Sequence, residues 1–349
     1  MSTATDKAKE ILATYDGRPL RIMEVCGTHT HEIFRLGVRK LLPPQVTLIS
    51  GPGCPVCVTD VSFIDEAIWL AEQGYTVTTF GDLVRVPGTT SSLAEARAKG
   101  GRIQVVYSPL DAVDYAKQHT DEEVVFLSVG FETTVPAACL AVETAQAAGL
   151  ENFSLLVANK TMPRAYAALK DSADVFLYPG HVHAIIGTKL CEDLVEAGVS
   201  GVLAGFTAPE LVTALAVACT KADKGEPFFV NAYPRVVRPE GTPAAVELMD
   251  KVMEPCDATW RGLGTIEGSG LKLREEYAAY DARTKLHIPA IEGHPNRACR
   301  CGDVLKGDIT PNQCPLFGRA CTPLKPVGAC MVSSEGACSA YYQYGGDLI

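Results

Sequence analysis

From residue 20 to about residue 230, short β-branched and apolar runs alternate with longer stretches of helical periodicity. Leu20–Val25, Val46–Ser50, Tyr75–Phe80 and Ile103–Tyr107 predict one set of strands, and Val124–Val129, Ser154–Ala158, Val175–Tyr178 and Gly201–Gly205 predict a second. Between them, Val61–Gln73, Thr133–Ala148 and Lys189–Ala197 carry apolar positions at helical spacing. Strands that are apolar throughout and separated by helices indicate parallel sheets covered on both faces. The expected fold is α/β: two similar lobes, each with a roughly four-stranded parallel sheet flanked by helices, plus an irregular Cys-rich C-terminal portion. The expected units are residues 1–120, 121–230 and 231–349.

After Pro227 the pattern changes. Phe228–Arg238 is rich in Pro and aromatic residues, and helices are predicted at Thr242–Met253 and through Leu273–Ala282. From Ile288 onward there is little periodicity, only Gly, Pro and Cys. A segment this long inside a folded protein needs another organiser, and bonds to a metal cluster could replace the missing apolar core.

Lys and Arg number 31 against 41 Asp and Glu, a net charge of −10, which argues against a general binder of nucleic acid or anionic membranes. The first residues lack a signal-peptide pattern, and the longest apolar stretch, near Leu211–Cys219, is far short of the ~20 residues that span a bilayer. The expected location is the cytoplasm, where clustered thiols act as metal ligands or redox groups more readily than as a disulfide frame. The chain has 13 Cys, six of them from Cys299 onward.

Four groups of residues carry candidate chemistry. Cys26-Gly27-Thr28-His29-Thr30-His31 follows the first predicted strand, where open α/β sheets bind ligands. One thiol and two imidazoles can hold a soft or borderline metal; the plain alternative is a buried Cys, a capping Thr and two surface histidines. Gly51-Pro52-Gly53-Cys54-Pro55-Val56-Cys57 follows the second strand. Its Cys-x-x-Cys spacing suits a redox disulfide or two ligands, and a following helix would favour thiolate. Val129-Gly130-Phe131-Glu132-Thr133-Thr134 and Tyr178-Pro179-Gly180-His181-Val182-His183 occupy equivalent strand ends. There Glu132, His181 and His183 could supply a proton acceptor or hydrogen bonds in a cleft between lobes, with Thr133 or Thr134 capping a helix. The fourth group is the tail, Cys299, Cys301, Cys314, Cys321, Cys330 and Cys338, spaced too widely for a usual zinc ribbon and better suited to an iron–sulfur cluster. Cys299 is the first to set aside, which leaves five candidates for four ligand places. Cys139, Cys191, Cys219 and Cys256 read as packing residues. No phosphate-binding Gly-Lys loop is present, and Gly262-Leu263-Gly264 with Gly268 is a poor dinucleotide loop because no clear strand precedes it.

Taken in order, these blocks, with Gly328-Ala329-Cys330 through Gly336-Ala337-Cys338, resemble the signature blocks of the HypD family of hydrogenase maturation factors over nearly the whole chain. The resemblance implies a metallocofactor-assembly scaffold with redox-active thiols rather than a conventional turnover enzyme. On it, an iron carrying two cyanides and one carbon monoxide would be assembled with the chaperone HypC, with HypE as cyanide donor and HypF upstream. It implies two α/β lobes and a 4Fe–4S cluster held by four of Cys301, Cys314, Cys321, Cys330 and Cys338. Cys26 would hold the transient iron, His29 would sit beside it, and Cys54 and Cys57 would form a redox pair. His183 departs from the small polar residue expected of the family and receives little weight. The alternative is a free-standing iron–sulfur oxidoreductase working through Cys54 and Cys57.

Overall fold

The computed structural model describes residues 3–345. Nine parallel strands form two sheets. They are β1 (Leu20–Glu24), β2 (Val46–Ser50), β3 (Thr76–Thr79), β4 (Ile103–Val105), β5 (Val124–Ser128), β6 (Phe153–Val157), β7 (Val175–Pro179), β8 (Gly201–Ala204) and β9 (Phe229–Asn231). The first sheet has the order β2-β1-β7-β8-β9 and the second β4-β3-β5-β6. Every residue of β3 and of β5 through β8 is buried, which explains why β5 to β8 read as largely apolar runs, whereas β3 buries three threonines.

The sheets do not follow the linear division at residue 120. After β2 the chain leaves the first sheet, builds all of the second with β3 to β6, and returns for β7 to β9. Residues 1–120 and 121–230 therefore each contribute to both sheets. The division fails because both halves repeat the same strand–helix pattern, and pairing between distant strands leaves no local mark. The first sheet also gains a fifth strand, β9, from a stretch that reads as irregular.

The helices carry ordinary local signals. Asp60 caps Val61–Glu72, its carboxylate accepting from the Ser62 amide at 3.0 Å. Helix Ala4–Ala13 packs its Ala8 and Leu12 against Leu211 and Leu215 of Ala208–Ala222. Helix Pro243–Val252 matches its expected range closely. The helix expected through Leu273–Ala282 does not form. Leu273 ends an antiparallel hairpin, β10 (Met253–Trp260) and β11 (Gly264–Leu273), followed by a 3-10 turn at Glu275–Tyr280. The sequence hides this hairpin because Pro255 and four glycines dilute any alternation. Gly262 and Gly264, at φ of 78° and 82°, form its turn, so this Gly-rich stretch joins antiparallel strands and is not a dinucleotide loop.

The hairpin lies across the strand ends. Trp260 bridges to Thr59, and Gly270 to Lys160. The Trp260 ring is fully buried, stacks on Phe131 at 5.9 Å and donates its indole N–H to the Ser269 hydroxyl at 2.8 Å. Beyond it, the tail forms short helices at Cys301–Lys306, Ala329–Val332 and Ala337–Tyr344. Among the described residues no helix is long and apolar enough to cross a membrane. Trp260→Ala should lower stability by about 3–5 kcal/mol, measured by urea unfolding. Amide exchange should then rise first in the hairpin and at Thr59; a uniform loss across both sheets would contradict this anchoring role.

Candidate functional site

The sequence blocks converge because β1 lies between β2 and β7 and all three strands run the same way. Glu24 is level with Ser50 of β2 and Leu177 of β7, so the segments that follow leave one sheet edge together. Cys26 is buried at the N-cap of helix Gly27–Arg35. Its Sγ lies 3.9 Å from His181 Nε2, and His181 is in the helix Gly180–Ile186 that follows β7. The second thiol block is pressed against the first: Gly27 N donates to the Gly53 carbonyl at 2.9 Å. A Cβ on Gly53 would sit 2.1–2.5 Å from Cys26 backbone atoms, so only glycine permits this approach. Cys54 and Cys57 form a disulfide across the short helix Pro55–Val58, with Cα atoms 5.2 Å apart. Both sulfur-bearing residues are buried.

Burial holds the nearby groups in their neutral forms. The Cys26 thiol is pushed up strongly, chiefly by desolvation. Desolvation likewise lowers His29 to about 3, with neighbouring His181 adding to the effect, and lowers His181 to about 4. His29 Nε2 lies 3.0 Å from the Gly205 carbonyl and therefore carries the proton, while its buried Nδ1 has no partner. Phe206 packs against both imidazoles, with centroids 4.8 Å and 5.0 Å away. His31 sits at the rim, with Nε2 3.5 Å from the Tyr344 hydroxyl.

Beneath Cys26 lies a residue the sequence reading missed. Glu24 is fully buried, accepts from the Thr30 and Ser50 hydroxyls at 2.6 Å each, and faces Arg39 at 3.6 Å. Desolvation raises its carboxyl to about 7. It ends a largely apolar strand, and nothing in that local pattern marks its side chain as buried.

Glu132 lies apart from Cys26. Its Oε1 accepts from Met162 N at 2.9 Å, its Oε2 is buried without a partner, and desolvation raises it to about 7. Tyr166, which the sequence reading also missed, is fully buried with its hydroxyl 3.5 Å from His183 Nε2, and desolvation raises it well above its ordinary value. Thr134 starts helix Val135–Ala147, but its hydroxyl donates to the Phe131 carbonyl instead of capping. His183 is a core residue, held by the Gly187 carbonyl at 2.9 Å and by Cys191 at 3.5 Å.

The tail thiols gather in one small cavity lined by Cys299, Cys301, Cys314, Cys321, Cys330 and Cys338, with Leu316 and Phe317 among its apolar walls. Cys299, the first set aside on the sequence, thus joins the other five. The Cys301 and Cys330 sulfurs are 2.8 Å apart. This contact and the Arg261 charge favour thiolate at Cys301. Arg261 is buried, its Nε donates to the Thr59 carbonyl at 2.8 Å, and its Nη2 has no partner. Among the described residues no three His, Cys, Asp or Glu side chains form a group suited to a single metal ion. The cavity adjoins the strand-end site: helix Ala329–Val332, which carries Cys330, packs on Pro55–Val58, and Thr28 donates to Glu335 at 2.9 Å. Of the presumed packing thiols, Cys139, Cys191 and Cys219 are buried, whereas Cys256 is half-buried on β10.

Two predictions arise from this geometry. Gly53→Ala should cost roughly 1–3 kcal/mol in urea unfolding, because Cys26 must give way; an unchanged midpoint would mean that the two loops do not need their contact. Glu132 holds its proton to a higher pH when folded than when unfolded. Its contribution therefore lowers stability progressively as pH rises from about 4.5 to about 7. Thermal melts should show Glu132→Gln close to wild type near pH 4.5 but more stable at pH 8, by on the order of 2 kcal/mol. A gain independent of pH would count against this assignment.

A family model described as "HypD: Hydrogenase formation hypA family" matches residues 2–345. The hydrogenase maturation factor HypD of Rhodobacter capsulatus is 42% identical, covering 97% of this chain and 93% of its own length. The HypD proteins of Azotobacter vinelandii and Escherichia coli are each 40% identical, covering 99% and 94% of this chain and 94% and 90% of their own lengths. With the strand-end blocks brought together as described and similarity running from end to end, the chain belongs to the HypD family of hydrogenase maturation factors.

Proposed function

We propose that this chain is a redox-active scaffold on which an iron bearing two cyanides and one carbon monoxide is assembled with HypC, before transfer to the large subunit of a nickel–iron hydrogenase. The observation that carries this reading is the place of Cys26, at the meeting of three parallel strand ends with its sulfur 3.9 Å from His181. Burial keeps the Cys26 thiol protonated in the protein alone. Ferrous iron, the cargo, favours thiolate and displaces that proton. Neutral His181 is the nearest base to receive it. His29 turns an unshared Nδ1 lone pair into the same buried setting. HypC would supply a second thiolate, with HypE as the cyanide donor and HypF upstream.

Opening the Cys54–Cys57 disulfide consumes two electrons and two protons and yields two thiols. Both residues are buried, which favours an electron source within the protein over exchange with outside disulfides, as a free-standing oxidoreductase would require. We assign that source to the tail. Its thiol-lined cavity and the unpartnered Arg261 donor suit a thiolate-held, anionic 4Fe–4S cluster, with four of Cys301, Cys314, Cys321, Cys330 and Cys338 as ligands and Cys299 as a further candidate. Such a cluster would pass electrons singly, so opening the disulfide would take two transfers through it from an external one-electron reductant. Arg261 would complement its negative charge, while Leu316 and Phe317 restrict water.

Anaerobically purified protein should be brown and carry about four irons and four sulfides per chain; a colourless zinc protein would overturn the cluster assignment. Co-expressed with HypC, wild type should show cyanide and carbonyl infrared bands that disappear in Cys26→Ala while the iron–sulfur absorption remains. Absence of these bands from the wild-type complex would overturn the scaffold reading.

A further inference from the structure

A lysine almost shut off from solvent lies just beyond β6, away from the thiol chemistry. Lys160 is 4% exposed. Its amide donates to the Gly130 carbonyl at 3.0 Å, which ties it to the strand-end block after β5. Its ammonium makes no hydrogen bond or ion pair with any described residue; the Trp260 ring, with its centroid 5.9 Å away, is its aromatic neighbour. The side chain lines a cavity of about 250 Å³ between β6, the hairpin and the start of helix Val61–Glu72. The carboxyl ends of strands are where open α/β sheets bind ligands.

The other charged groups around this cavity have partners. Asp60 accepts from Ser62 at 2.7 Å and 3.0 Å, Asp257 from Gly268 N at 3.0 Å, and Asp281 from Arg283 N at 2.8 Å. Arg283 pairs with Glu66 at 2.7 Å, and Lys272 with Glu254 at 3.0 Å. Lys160 alone among them lacks one. Asp60 attracts the ammonium only from beyond ion-pair distance, so a ligand oxygen that bonds it directly gains what no side chain here provides. Glu254 and Glu66 neutralise Lys272 and Arg283 while the three aspartates keep their charge, so the lone ammonium suits a monoanion and not a dianion. The cavity is also below the ~300–1,000 Å³ of pockets for drug-sized ligands.

We propose that this cavity binds a small monocarboxylate through the Lys160 ammonium. Desolvation lowers Lys160 to about 8; Asp60 and Cys256 oppose the shift, and Arg283 and Arg261 add to it. The cation therefore predominates at neutral pH and is lost above pH 8, and carboxylate binding must weaken with it.

Calorimetric titration of the whole protein with formate, acetate and lactate, at ionic strength held constant with chloride, tests the assignment. At least one acid should bind with one-to-one stoichiometry at pH 6.5 and roughly thirtyfold more weakly at pH 9.5, the ratio of protonated amine set by a value near 8. Lys160→Met should abolish binding. Lys160→Arg should keep it and remove the pH dependence. Failure of all three acids to bind wild type at pH 6.5, binding that does not weaken by pH 9.5, or inorganic phosphate binding as tightly as acetate would each overturn the proposal. These wild-type measurements hold even if Lys160→Met does not fold.

Discussion

β1 runs parallel to β2 on one side and β7 on the other, and the rest of the site depends on that pairing. Parallel strands cannot be joined by a tight turn, so each must be followed by a long connection that begins at the same edge of the sheet. Cys26, the Gly51–Cys54 loop and Gly180–His181 are the first residues of three such connections. Register then sets the distances. Glu24 level with Ser50 places Gly53 against the backbone of Cys26, and this contact tolerates no side chain. The tail closes over the same point through Glu335, whose Cβ and carbonyl lie where a side chain on Gly27 would be.

Removing water from this edge sets its electrostatics. A buried thiol, a buried and a half-buried imidazole and a buried carboxyl are all driven toward their uncharged forms by the same desolvation. Arg39 offsets part of the effect at Glu24, and its guanidinium is itself supported by the Phe34 and Tyr341 rings, 4.5 Å and 5.5 Å away. Helix Gly27–Arg35, β1 and the last helix thus share one polar network under Cys26. Arg261 links the two halves of the chemistry in a similar way, held by the Thr59 carbonyl on one side and influencing Cys301 on the other.

The sequence made the α/β class visible because strands buried on both faces are nearly all apolar, and β5 to β8 are. Cys26, Cys54, Cys57 and His181 were legible because thiols and histidines at strand ends are rare and clustered. Glu24, Arg261 and Lys160 were not. Each is a single charged residue in an unremarkable stretch, and its significance comes from burial, a property of neighbours brought from elsewhere in the chain. Cys299 shows the same limit: it was the first set aside on the sequence, yet folding of the tail placed it beside the other five thiols.

The amino-acid pattern alone therefore determined the element types, the chemical blocks and the family likeness, all of which rest on local composition and order. It did not determine which strand pairs with which, because equivalent βα units carry no label of their neighbour. Tertiary structure decided that β3 to β6 form a separate sheet within the span of the first, that a hairpin covers the strand ends, and which charges lie out of water. Those outcomes depend on contacts between residues far apart in the chain, where packing and desolvation act and local preference does not.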